Sequence, residues 1–171
     1  MFHRIVVPLD GSELAEQALE HAKELARLAS VPVHLLRVVD LGRLAGRGSV
    51  VWGLTPWALQ TALDDEQRGA KEYLDRMSLL LRNQGVETST EVRHGNSPDE
   101  ILDVAGDGDL VVMSTHGRSG VPRWYFGSVA EAVARHAAGP VMLIHSLPVG
   151  ADVVLQASEA APVWEEAAAP A

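Results

Sequence analysis

Apolar positions along the chain gather into five short runs rich in β-branched residues, at 3–9, 32–39, 86–93, 109–114 and 140–145. Between these runs apolar residues recur at helical spacing. The first, second, fourth and fifth runs are nearly continuous (Ile5-Val6-Val7; Val33-His34-Leu35-Leu36; Leu110-Val111-Val112-Met113; Val141-Met142-Leu143-Ile144). Strands apolar on both faces belong inside a parallel sheet covered by helices. The third run, Val86-Glu87-Thr88-Ser89-Thr90-Glu91-Val92-Arg93, is mostly polar and reads as an edge strand guarded by charge. Ser12 caps a predicted helix with an apolar stripe of Leu14, Ala15, Ala18, Leu19, Ala22, Leu25, Ala26 and Ala29. Thr55-Pro56 opens a long helix reaching Asn83 and closed by Gly85. Ser97-Pro98-Asp99-Glu100 and Ser128-Val129-Ala130-Glu131 both carry capping-box spacing, serine at the cap and glutamate three residues on. Strand and helix alternate throughout, which predicts an open, doubly wound α/β sheet with right-handed crossovers.

Two segments stand outside this plan. Residues 41–53 hold Gly42, Gly46, Gly48 and Gly53 with Arg43 and Arg47, and read either as a lid over a ligand or as a plain surface loop. Residues 147–171, rich in Ala and Glu, are expected to form a flexible extension to a single domain spanning 1–146, with Val163-Trp164 as its one anchor.

Composition narrows the chemistry. The 171 residues contain no cysteine, which excludes disulfides, cysteine-ligated zinc and thiol catalysis, and suits a reducing compartment. A net charge of −9 disfavours general nucleic-acid binding. The N-terminus has no signal-peptide pattern and no stretch has the apolar length of a membrane span, so a cytoplasmic protein is expected.

Ligands of open α/β sheets sit beyond the carboxyl ends of the strands, where the strand order reverses. The first predicted strand ends in Pro8-Leu9-Asp10-Gly11-Ser12 and the second in Val38-Val39-Asp40. The fourth ends in Ser114-Thr115-His116-Gly117, and the chain then runs through Arg118 and an aromatic stretch, Trp124-Tyr125-Phe126, to Gly127-Ser128 and a helix. Glycines at 117 and 127 let backbone approach a phosphate chain without a Cβ between them. The helix opened at Ser128 offers free N–H groups and the positive end of its dipole, a ready anion site. An ordinary glycine-bearing loop leading to a capped helix fits the same residues.

These pieces, in this order, resemble the universal stress protein family over residues 4–146. The likeness rests on Ile5-Val6-Val7-Pro8-Leu9-Asp10-Gly11-Ser12, on Leu35-Leu36-Arg37-Val38-Val39-Asp40, and above all on Val112-Met113-Ser114-Thr115-His116-Gly117-Arg118-Ser119-Gly120 with Gly127-Ser128 and Gly139-Pro140-Val141-Met142-Leu143-Ile144. ATP-binding members carry Gly, two residues, Gly, nine residues, then Gly and Ser or Thr. Gly117, Gly127 and Ser128 match that pattern, while Ser114 stands at the first glycine, a departure that carries strain if the position needs positive φ. The resemblance implies a Rossmann-like three-layer fold with five parallel strands in the order 3-2-1-4-5. It places Pro8 and Asp10 against the nucleoside and the Val38 backbone at the adenine edge. It puts Gly117, Gly127, Ser128 and Val129 on the phosphates, with Mg or Mn on the phosphate oxygens, and Ser114, His116 and Arg118 beside them. It also implies a homodimer through the last strand, residues 140–145, and a role in stress-response regulation.

Other nucleotide signatures are absent. There is no P-loop, Gly106-Asp107-Gly108 leads into a strand, and Gly117-Arg118-Ser119-Gly120 falls one residue short of a nucleophile elbow. Asp64-Asp65-Glu66 reads as a solvated helix face. The scattered histidines show no metal-ligand spacing. His116 is the one candidate for proton transfer, or else shapes its loop. The leading expectation is an ATP-binding regulatory module; the alternatives are a dimeric interaction protein of the same fold without nucleotide, and a slow ATPase using His116.

Overall fold

The computed structural model describes residues 1–40, 56–115 and 127–145. Its elements run β1 (Arg4–Pro8), α1 (Glu13–Ala29), β2 (Val33–Val39), α2 (Pro56–Asn83), β3 (Thr88–His94), α3 (Ser97–Val104), β4 (Asp109–Ser114), α4 (Ser128–His136) and β5 (Val141–Ile144). All strands pair in parallel, in the order β3-β2-β1-β4-β5. Segment 41–53, the Thr55 cap, the interior of the glycine loop and the 147–171 extension lie outside the described residues.

The central strands bury both faces, as their unbroken apolar runs require. Ile5, Val7, Val33 and Leu35 face α1 and α2, packing on Ala18, Ala22, Leu74 and Leu81. Val6, Leu36, Val111 and Met113 face the opposite side, against Ile101 of α3 and Ala130 and Val133 of α4. The polar run forms an edge, as expected: β3 pairs with β2 alone. The apolar β5 forms the other edge, so reading it from pattern as an interior strand needs correction. It pairs with β4 on one side, and Met142 is left 37% exposed.

Helix ends follow local chemistry with two corrections. The Ser12 hydroxyl accepts from the Ala15 N–H at 3.2 Å and caps α1. Gly85, at φ +81°, closes α2, with Val86 N–H donating back to the Leu81 carbonyl at 3.1 Å. Ser97 is already inside α3. The cap is Asn96, without a side-chain capping bond, and Glu100 is drawn instead into an ion pair with Arg93 Nε at 2.8 Å. Likewise α4 is capped by Gly127, Ser128 is its first residue, and Glu131 pairs with Arg135 one turn on.

The amino end of the sheet is locked by charge. Asp109, 2% exposed, accepts from Arg4 Nε at 3.1 Å, from Arg4 Nη2 and from the Gly106 N–H at 3.0 Å. Arg4 Nη2 also donates to the Val104 carbonyl at 2.9 Å. Gly139 lies tight against this corner: a Cβ there would stand 2.5 Å from the Asp109 carbonyl oxygen.

Candidate functional site

In this strand order the chain turns from β1 toward β2 on one side and toward β4 on the other, and it is at the carboxyl ends of such strands that open α/β sheets bind ligands. Pro8 ends β1 opposite Leu36, and Leu9 N–H donates to the Leu36 carbonyl at 2.8 Å. The backbone then turns sharply through Gly11, at φ +78°. Asp10 Oδ1 accepts from the Ser12 N–H at 2.9 Å and from the Ser12 hydroxyl at 2.5 Å, which fixes the carboxylate at the mouth. The half-buried Asp10 therefore commits one oxygen to its own turn.

Val38 lies near the end of β2 and packs with the core on the α3–α4 side. Ser114 ends β4 opposite Ile144. Ser30 is the one non-glycine residue at positive φ among the described residues, so Ser114 keeps ordinary strand geometry and the strain anticipated there does not arise.

Thr115, 5% exposed, is the pivot of the glycine loop. Its N–H donates to the Ile144 carbonyl at 2.9 Å, and its own carbonyl accepts from the Gly127 N–H at 2.7 Å. The loop is thus clasped at its base. Gly127 is needed for close approach rather than for unusual dihedrals: its φ is −56°, but a Cβ would come within 3.2 Å of the Thr115 oxygen. Ser128 is exposed and Val129 half-buried in the first turn of α4. Because Gly127 provides no capping side chain, the first N–H groups of α4 keep their donor capacity for a ligand. The fold thus gathers Pro8, Asp10, Val38, Ser114, Gly127, Ser128 and Val129 at one end of the sheet. His116, Gly117 and Arg118 fall outside the described residues.

Shifted titrations lie mostly away from this mouth. Burial pushes the Asp109 carboxyl up, but hydrogen bonds from Arg4 and the Gly106 N–H, with the charges of Arg4 and His3, outweigh it and hold the group below its usual range. His34 is pushed below its usual value, first by burial and then by the Arg4 charge; Glu91 partly offsets both. Its Nδ1 meets Ser89 Oγ at 2.8 Å and its Nε2 meets Glu91 Oε2 at 3.2 Å. Tyr73 of α2 lies nearer the mouth, and burial followed by the neighbouring Glu16 carboxylate holds its phenol well above the usual range.

Sequence reasoning passed over Arg37 as a contributor. Its guanidinium packs on Gly11 and stacks 5.6 Å from the Tyr73 ring centroid. The available signal was a lone cation inside an apolar strand, Leu35-Leu36-Arg37-Val38-Val39. Among the described residues no three His, Cys, Asp or Glu side chains gather as a metal site, and no helix is long and apolar enough to cross a membrane.

Residues 1–145 match the universal stress protein family. A universal stress protein of Methanocaldococcus jannaschii is 32% identical over 149 residues, covering 84% of this chain and 82% of that protein. A second protein of that organism, solved as a structural-genomics test of assigning biochemical function, superposes with a TM-score of 0.73 at 26% identity, covering 86% of this chain and 99% of the other. Two more distant members share the fold, at 20% and 23% identity with TM-scores of 0.56 and 0.51, and cover 84% of this chain and 97% and 98% of theirs. They were solved with cAMP and, for the one from Archaeoglobus fulgidus, with dAMP.

Proposed function

Since the chain belongs to the universal stress protein family, we propose that it binds an adenine nucleotide, ATP, at the carboxyl ends of β1, β2 and β4, and works as a cytoplasmic regulatory module of the stress response. The observation that carries this reading is the clasp between Thr115 and Gly127. It sets a Cβ-free backbone and the amino end of α4 at the same end of the sheet as the Asp10 turn, an arrangement that suits a phosphate chain. The adenine nucleotides held by two relatives support the choice of base.

The residues fit such a ligand. The Asp10 carboxylate, with Oδ1 held by Ser12, has Oδ2 to accept from a ribose hydroxyl. The Val38 backbone borders the space for the base. Ser128 Oγ is exposed and makes no cap on its own helix, so it can donate to phosphate oxygens together with the N–H groups of Ser128 and Val129. Ser114, His116, Gly117 and Arg118 complete the set from the loop side. A bound Mg or Mn ion would neutralise phosphate charge that a protein of net charge −9 otherwise repels.

Calorimetric titration of nucleotide-stripped protein with ATP, with magnesium and then with EDTA, tests the proposal. Saturable binding is expected, and Gly127→Val should abolish it while the variant keeps its fold. Flat heats with wild-type protein, confirmed by dialysis against labelled ATP, would end the nucleotide reading.

A second reading is favoured by one observation, that β5 is an edge strand among the described residues, with Met142 exposed beside Val141 and Leu143. It is a homodimer through residues 140–145, able to serve as an interaction module whether or not nucleotide is bound. Met142→Lys should then shift a dimer toward monomer in analytical ultracentrifugation, and an unchanged sedimentation coefficient would place any self-association elsewhere.

A further inference from the structure

Arg37 alternates along β2 with Leu35 and Val39, so its side chain leaves the sheet on the α1–α2 side, opposite Val38. It therefore lies on the face of β2 away from a ligand packed against Val38. Its Nη1 lies 2.7 Å, and its Cζ 3.4 Å, from the point where a Cβ on Gly11 would project. The guanidinium therefore lies against the turn that presents Asp10, with Nη1 foremost. Nε and Nη1 are both shut off from solvent. On its other side the guanidinium faces the Tyr73 ring of α2, and Arg76 stands 5.9 Å from the same ring. Asp10 and Glu16 lie close enough for their charges to act on Tyr73, so two carboxylates and the Arg37 cation share one neighbourhood.

We propose that Arg37 is a positioning residue for the ligand turn: stacked between Gly11 and Tyr73, it braces residues 10–12 against α2 and keeps Asp10 in its ligand-ready orientation. A planar cation suits this place for two reasons. It can lie against a glycine backbone and over an aromatic ring at once. It also balances Asp10 and Glu16, whose repulsion would otherwise grow as an anionic ligand approached. Gly11 is held to glycine by its positive φ, and a Cβ there would also push the Arg37 guanidinium off the turn.

The brace is testable without ligand; its effect on affinity rests on the nucleotide reading above. The Ser12 amide, which donates to Asp10, reports on the turn, and the Leu9 amide, which donates to Leu36, reports on the sheet beside it. In ligand-free protein, Arg37→Met should speed Ser12 amide exchange by about tenfold and leave Leu9 unchanged. ATP with magnesium should bind about tenfold more weakly to the same variant. Arg37→Lys, which keeps the charge and loses the plane, should fall between on both measurements, and it stands in should Arg37→Met fail to fold. Unchanged exchange at Ser12 overturns the brace. Faster exchange with undiminished ATP affinity overturns its role toward the ligand. If wild-type protein binds no ATP, the nucleotide reading fails, and the Ser12 exchange still decides whether Arg37 holds the turn.

Discussion

Replacing Asp109 by Asn keeps the shape of the side chain and removes its charge. Three donors converge on this carboxylate: Arg4 Nε on Oδ1, and Arg4 Nη2 with the Gly106 N–H on Oδ2. An amide offers one oxygen. Set to keep the two donors at Oδ2, it turns its own NH2 toward Arg4 Nε, so at least one N–H loses its acceptor. Hydrogen bonds to charged groups contribute about 1.5–3 kcal/mol each, and a buried donor left unmatched adds to the loss. The Arg4 side chain is 32% exposed, and water recovers part of that. The expected destabilisation is about 2–3 kcal/mol, or a fall in Tm of about 5–10 °C at this size. The pH dependence gives an independent check. A carboxyl held below its ordinary 3.8 stabilises the fold above that pH and loses its contribution as pH falls further. Urea and thermal unfolding should therefore show Asp109→Asn converging on wild type in the acid limb and separated from it at neutrality. A neutral-pH difference under about 0.5 kcal/mol, within the range of ordinary surface substitutions, would refute the claim that this pair locks the amino end of the sheet.

Gly139→Ala should destabilise by about 1–3 kcal/mol, because its Cβ would meet backbone oxygens of Asp109, Gly106 and Asp107, which cannot move aside as a side-chain tip can; a chemical-denaturation midpoint equal to wild type contradicts that packing. His34, held below its usual 6.5, makes the fold bind fewer protons than the unfolded chain, so stability is full above pH 6.5 and declines below it. In His34→Gln that decline should be absent from thermal melts taken between pH 5 and pH 7, and a decline as steep as wild type would assign it to another group.

How much was legible in the chain can be judged residue by residue. Runs such as Ile5-Val6-Val7 and Leu110-Val111-Val112-Met113 declared central strands because burial on both faces leaves no room for alternation. The polar third run declared an edge for the converse reason. β5 misled the pattern reading: apolar residues on an edge look the same in sequence as apolar residues in a centre, and only the strand order, supplied by family resemblance, separates them. The capping boxes at Ser97 and Ser128 misled by one residue each, since the neighbouring Asn96 and Gly127 have the extended backbone a cap needs and the two glutamates found arginine partners instead. Ser114 looked strained because a motif writes glycine there, yet its backbone is ordinary strand. Arg37 is a lone cation in an apolar strand. Its meaning depends on Gly11 and Tyr73, which are 26 positions before it and 36 after it in the chain, and no local pattern carries that information.

The bond between Thr115 and Gly127 has a consequence for how such a protein can change over time. Both ends of the intervening stretch are tied to one point on the sheet, so the scaffold closes the same gap whatever the length between them. Doubling the length of a flexible loop adds only about 0.6 kcal/mol of closure entropy. A change in the number of residues between Thr115 and Gly127 therefore costs the scaffold little closure entropy. Thr115 and Gly127 are thus the natural cut points for exchanging that stretch with a relative's while the sheet and α4 stay as they are.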